Sequence, residues 1–135
     1  MARYLIALVM VFATMGGGSA RAQGGGIEAT VSGQIEAFRA GDFAAAFGYA
    51  SPGIQGIFQT LENFGMMVRQ GYGVLLNPAD MQFLNAREEG GKLWQRVLYR
   101  DVHGEIHIFD YEMIKGPEGW KIGAVNRVEM PKPSA

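Results

Sequence analysis

Two periodicities divide this chain. Through residue 72 the apolar positions recur at three and four. Ile27, Val31, Ile35 and Phe38 form the stripe of an amphipathic helix. Gly41 ends it as a left-handed cap, and Asp42 offers a carboxylate to the free N–H groups of a second helix, Phe43 to Ala50, which buries Ala46, Phe47 and Ala50. Ser51-Pro52-Gly53 breaks that helix. Residues 54–59 fit a helical turn and a packed loop equally well. Thr60 then caps a third helix to about Gly71, with Leu61, Phe64, Met67/Val68 and Tyr72 inward. Gly73 to Pro78 reads as a crossover loop.

From Met81 the period is two. Met81 to Glu88 predicts a strand turned by Gly90-Gly91, and Leu93 to Asp101 a second strand. A turn at His103-Gly104 leads into a long hairpin, Glu105 to Ile114 and Trp120 to Val125, around Lys115-Gly116-Pro117-Glu118-Gly119. One face of its first strand carries His107, Phe109, Tyr111 and Met113; the other carries Ile106, Ile108, Asp110, Glu112 and Ile114. Neither face is polar enough to be left to water alone. The expected fold class is α+β, with three N-terminal helices packed on a curved four-stranded antiparallel meander. Strand twist against a helical layer would shape it as a cone with a hollow at the wide end.

Several stretches resemble a bacterial family of exported proteins that carries a domain-of-unknown-function label, number 4864. They are Phe38 through Phe47, Ala50-Ser51-Pro52, Glu62-Asn63-Phe64, Met67-Val68-Arg69-Gln70-Gly71-Tyr72, Asp110-Tyr111 with Met113, and Glu118-Gly119-Trp120-Lys121-Ile122. The resemblance covers about residues 27–130 and implies a cone similar to the nuclear-transport-factor-2 or cystatin-like fold, together with export. It implies no activity, and proteins of that wider shape include isomerases, hydrolases, lipid carriers and interaction modules, so fold analogy selects none of them.

Composition adds the compartment. Arg3, the uncharged apolar run Tyr4 to Met15 and the small residues ending at Ala20-Arg21-Ala22 have the layout of a signal peptide over residues 1–22, cut after Ala20 or Ala22. The apolar run is shorter than the roughly 18–20 residues that span a bilayer, so no membrane span is expected in the mature form. Residues 23–26 read as a linker, 27–130 as one domain and 131–135 as a tail. Removing 22 of 135 residues leaves 113, enough for one hydrophobic core. Losing Arg3 and Arg21 leaves ten basic against 13 acidic residues, a net charge of −3 with no basic cluster, which speaks against nucleic acid and anionic membranes as partners. Cysteine is absent, so disulfides, thiol catalysis and thiolate metal sites are excluded.

The candidate chemistry is sparse. Tyr72, Tyr99, His107, Tyr111 and Trp120 are the candidates for lining a hollow, whether for a small apolar ligand or for an isomerase, lyase or hydrolase with His107 as base and Tyr111 or Tyr99 as donor. That enzyme needs His107 and a tyrosine on one cavity wall, although His107 and Tyr111 lie roughly 13 Å apart at strand rise. Core rings with a rim histidine are the simpler account, and no carboxylate falls on the inner face. No catalytic residue, cofactor or metal is therefore assigned; His103 and His107 sit in a turn and a strand without further ligands. The outer face, with Arg96, Ile106, Ile108, Asp110, Glu112 and Ile114, fits a homodimer in which one patch meets its own copy; Arg96 and Arg100 would meet the carboxylates across strands. The expected protein is periplasmic or secreted, non-enzymatic, and binds a small apolar ligand or a protein partner.

Overall fold

The structure, a computed structural model, describes residues 26–129. The signal peptide expected over 1–22 and the tail over 131–135 lie outside the described residues. Helix α1 occupies 26–39, so Gly26, expected in a linker, is already helical. It lies against Trp120, whose ring a Cβ at Gly26 would meet at 2.9 Å. Ile27, Val31, Ile35 and Phe38 are all buried, as their spacing requires. Gly41 takes φ +72, and Asp42 caps α2 (Phe43–Gly48) by accepting from the Ala45 N–H at 3.0 Å.

Helix α2 stops at Gly48 rather than Ala50. The reason is tertiary: Tyr49 to Ser51 is drawn to the sheet edge, where the Ser51 N–H donates to the Ile122 carbonyl (2.8 Å) and the Ile122 N–H to the Tyr49 carbonyl (2.9 Å). Lys121 Nζ donates to the Gly48 carbonyl at 2.8 Å, satisfying the helix end. The undecided segment is helical, α3 (Pro52–Phe58), because Ser51 Oγ accepts from the Ile54 N–H and Pro52 occupies the first turn, where its missing donor costs nothing. Thr60 caps α4 (Leu61–Gly71), accepting from the Asn63 N–H at 3.1 Å. Between them Gln59 has φ 71 and ψ −43, and the Thr60 N–H donates to the Phe58 carbonyl at 2.8 Å. This is a γ-turn of the rare, strained kind. The crossover holds a 3-10 turn, Gly73–Leu76, with Leu75 buried.

The strands are β1 (Asp80–Glu89), β2 (Lys92–Arg100), β3 (Ile106–Gly116) and β4 (Gly119–Val128), antiparallel in the order β1-β2-β3-β4. The sheet stays open, with β1 and β4 as its edges; what the structure supports is N-terminal helices followed by an antiparallel meander, without closure or strong curl. Gly90 and Gly91 both take positive φ, the requirement of a two-residue hairpin whose twist matches its strands. A register shift between Phe83 and Ala86 reverses the parity of β1: Phe83 lies opposite buried Val97, whereas Arg87 lies opposite Trp94 on the other face. Gln95, 4% exposed, ties off this bulge by donating to the Leu84 carbonyl at 3.1 Å.

The inner sheet face presents Val97, Tyr99, Phe109, Tyr111, Met113 and Ile122 to the helices. Phe64 of α4 is the centre of the helical side, with Phe47, Phe38 and Phe58 at ring distances of 4.8, 6.0 and 6.0 Å. Gly65 beside it admits the Phe43 ring, whose edge a Cβ would meet at 2.8 Å. Gly65→Ala gains about 1 kcal/mol of helix propensity, but overpacking against a ring already held by Phe38, Phe64 and Arg69 costs about 1–3 kcal/mol. The expected net is a modest loss, a melting temperature lower by about 4–8 °C per kcal/mol lost, read by thermal circular dichroism; a higher melting temperature would show that the Phe43 contact is loose.

Candidate functional site

The helical layer is made of short pieces, and it does not fill the space above the β4 end of the sheet. A cavity of about 340 Å³ remains there, toward the small end of ligand pockets. Its floor is Ile122, Ala124 and Val125 of β4. Helices α3 and α4 wall it with Ile54, Phe58, Phe64, Met67 and Val68, and Gln34 and Phe38 of α1 close the back. Asn126, an exposed residue, marks the mouth, and Tyr72 stands beside it, its hydroxyl donating to the Val125 carbonyl at 3.0 Å. No Asp, Glu, His, Lys or Arg lines this space among the described residues.

Of the five residues expected to line a hollow, Tyr72 is the one on this wall. Tyr99 and Tyr111 are fully buried beneath the helices, their hydroxyls 2.6 Å apart. Burial pushes both phenols well above their ordinary range, the Tyr99 hydrogen bond only partly offsetting its own shift. Both stay protonated at working pH and satisfy each other, so neither is a base. Trp120 is partly buried against the core at the turn end, under Lys115 at 5.3 Å.

His107 is opposite Tyr99 in register but takes no part in the cavity. Its Nε2 is 2.9 Å from Asp101 Oδ2, and its Nδ1 is 3.2 Å from Arg127 Nη1. A guanidinium only donates, so Nδ1 is the acceptor and Nε2–H the donor to Asp101. That hydrogen bond, followed by the Glu105 N–H, holds the Asp101 carboxyl below the usual range. Arg127 also donates to the Gly71 carbonyl at 2.9 Å and lies 4.8 Å over Phe109. Both ring nitrogens of His107 are thus committed to structure. The shared wall that an enzyme with this histidine as base would need is not the one the chain builds. Asp101, Glu105 and His107 bring their ligand atoms within 4.8 Å of one another. Asp101 Oδ1, however, already accepts from the His103 and Glu105 N–H groups, and Arg127 caps Nδ1 of the imidazole. The trio reads as a turn lock.

On the outer face Asp110 is the centre. It is 7% exposed and receives paired hydrogen bonds from Arg96 (3.0 and 2.9 Å) and from Arg87 (3.3 and 3.0 Å). Arg96 was the expected partner. Arg87 was not, because the β1 bulge that carries it to this face leaves no mark in the sequence. For Arg100 no ion pair is formed among the described residues; Glu112 instead has Lys92 at 4.0 Å. Around these charges Trp94, Leu98, Ile106 and Ile108 are half-buried and Ile114 is 41% exposed.

Apart from Tyr72, the residues that line the cavity were not among the candidates read from the sequence. Ile54 and Phe58 lay in the segment with two readings. Gln34 had a signal: it is a polar residue within the α1 stripe, three after Val31 and four before Phe38.

Comparison with known proteins gives a family match. The family model described as Domain of unknown function (DUF4864) covers residues 20–135. The chain belongs to this family. No curated protein and no solved structure matched it. This DUF4864 chain is an N-terminal helical layer on an antiparallel meander, and its chemistry has to be read from its own side chains.

The Asp110 cluster gives a pH dependence. Hydrogen bonding from Arg96, then from Arg87, outweighs desolvation and lowers the carboxyl from 3.8 to about 2. A depressed folded-state value means that the stabilisation is complete above the unfolded value and is lost as pH falls from about 4 to about 2. Urea midpoints should fall across that window in the wild type, and Asp110→Asn should be less stable at neutral pH but flatter below pH 4. Parallel acid limbs for the two proteins would refute the assignment.

Proposed function

We propose that this protein is an exported, non-enzymatic DUF4864 member of the cone type that holds a small apolar molecule between α3, α4 and β4. The observation that carries the reading is the cavity: about 340 Å³ walled by Phe, Ile, Val and Met side chains. Apolar voids of this kind gain by exchanging poor contacts for ligand surface. The absence of acid, base or nucleophile on the wall favours carriage over turnover. Export rests on the pattern of residues 1–22, and the cone on one helical layer covering one sheet face.

NMR titration with p-xylene, a rigid probe without polar groups, tests the binding. Shifts confined to Ile54, Val68, Ile122 and their neighbours are expected. Ile54→Trp, which crowds the α3 wall at a residue that is not core, should weaken binding by about tenfold, the loss of roughly 1.4 kcal/mol of contact. Absence of any response at millimolar p-xylene would end the proposal.

The outer face supports a second element of the reading, pairing of two copies. Its half-buried Trp94, Leu98, Ile106 and Ile108 are covered by no described element. Its paired charges balance, Arg87 and Arg96 against Asp110 and Glu89, and Lys92 against Glu112, so two copies can meet without a net like charge from these pairs. Light scattering on the eluting protein should give twice the mass of one mature chain at tens of micromolar, and Ile108→Lys should give single chains. A single-chain mass for the unaltered protein would sink the dimer.

A further inference from the structure

The cavity is apolar but not featureless, and its one deep polar side chain has a defined orientation. Gln34 is 5% exposed and lies on the back wall. Its Nε2 donates to the Ala46 carbonyl at 3.0 Å. Only the nitrogen of an amide can donate to a carbonyl, so this bond fixes which end is which. The oxygen Oε1 is left over. No donor among the described residues reaches it, yet no sealed side-chain atom among those residues lacks a partner, so Oε1 keeps accessible surface, and the space that Gln34 lines is the cavity. Water can serve it while the cavity is empty, and a ligand that displaces that water has to bring a donor of its own or leave the oxygen unserved. At the other end, the Tyr72 hydroxyl spends its proton on the Val125 carbonyl, so the oxygen of this lining residue too can only accept.

We infer that the molecule this cavity selects is a neutral amphiphile with an apolar body and one hydrogen-bond donor, an alcohol or a phenol, whose O–H is received by Gln34 Oε1. This rests on the proposed ligand-binding reading of the cavity and narrows it. Carboxylates are selected against. A fatty acid anion would bring negative charge to a wall of acceptors, with no Lys, Arg or His lining to receive it. Protonated amines are disfavoured from the other side, because no carboxylate lines the space to pair with them.

The experiment compares 4-ethylphenol, 4-ethylanisole and 4-ethylbenzoate on the full mature chain by calorimetry, with NMR locating the site. The anisole is the phenol with its donor methylated, and it is the more apolar of the two. A cavity governed by burial alone would prefer it. The expected result is the reverse: the phenol binds about three- to tenfold tighter than the anisole, and the benzoate does not displace it. In Gln34→Met the preference should pass to the anisole. Should that variant fail to fold, the three-ligand comparison on the unaltered protein still decides. Equal or tighter binding of the anisole, or binding of the benzoate, overturns the donor inference and leaves an apolar binding site standing. Silence from both neutral ligands overturns the cavity reading itself, and this inference with it.

Discussion

One carboxylate governs the sheet. Asp110 on β3 takes both arms of Arg96 on β2 and of Arg87 on β1, so a single side chain spans three strands. The arrangement is costly to assemble, since an almost covered anion must be fully served before it is tolerable. It is served by two cations only because β1 carries a bulge that turns Arg87 over. Register and bulge therefore depend on each other: slide β1 by one residue and Arg87 returns to the core side, leaving Asp110 with one partner. Gln95 on the opposite face closes the same bulge from below. Two polar side chains, one per face, thus specify an alignment that alternation of apolar residues alone would leave loose.

With the sheet fixed, the helical layer has to cover a surface longer than its pieces. Helix α1 is the long one; α2 and α3, of six and seven residues, each fall short of two turns, and Phe64 gathers aromatic rings from all of them. Ring clusters fill their centre well and their margins poorly. The margin here falls above β4, next to the place where Ala50 and Ser51 bridge to Ile122. The cavity is therefore tied to the same residues that shield the β4 edge: because Tyr49 to Ser51 leaves the helix to pair with the strand, α3 must start anew at Pro52, and Ala50 itself lines the cavity. The far edge of the sheet, β1, needs no such cover; Asp80, Arg87, Glu88 and Glu89 blunt it with charge.

Most of this architecture was legible in the chain. The stripe of α1, the caps Asp42 and Thr60, the positive-φ Gly41 and Gly90-Gly91 and the parity of β3 are local consequences of local residues, and each has its expected place. The site was less legible, for physical reasons. Parity put Tyr99, Tyr111 and His107 on the inner face correctly. It could not say that the two phenols would close on each other or that Arg127 and Asp101 would take the histidine, because those partners come from other strands and turns. The bulge in β1 is invisible to alternation, so Arg87 was missed. The cavity comes from what the helices fail to reach, and a shortfall in packing has no motif. Gln34 was the available clue, a polar residue set in an apolar stripe.

Helix α3 is described above as a wall, but its construction gives it a second consequence. It buries no residue fully, it starts at a proline and it ends on the strained turn at Gln59, whose left-handed φ a glycine would adopt at lower cost. Its detachment gives up the partly buried Ile54, Gln55 and Phe58 and releases the turn's strain, so α3 is the cavity wall that has less to lose on opening than α4, with Phe64 and Val68 in the core. Under the proposed binding role, the lifetime of a molecule held beneath it follows how often these seven residues lift, and not only how well the molecule fits. Exchange with the surroundings can be fast even where the fit is close, which is the property a carrier has to have and a core does not.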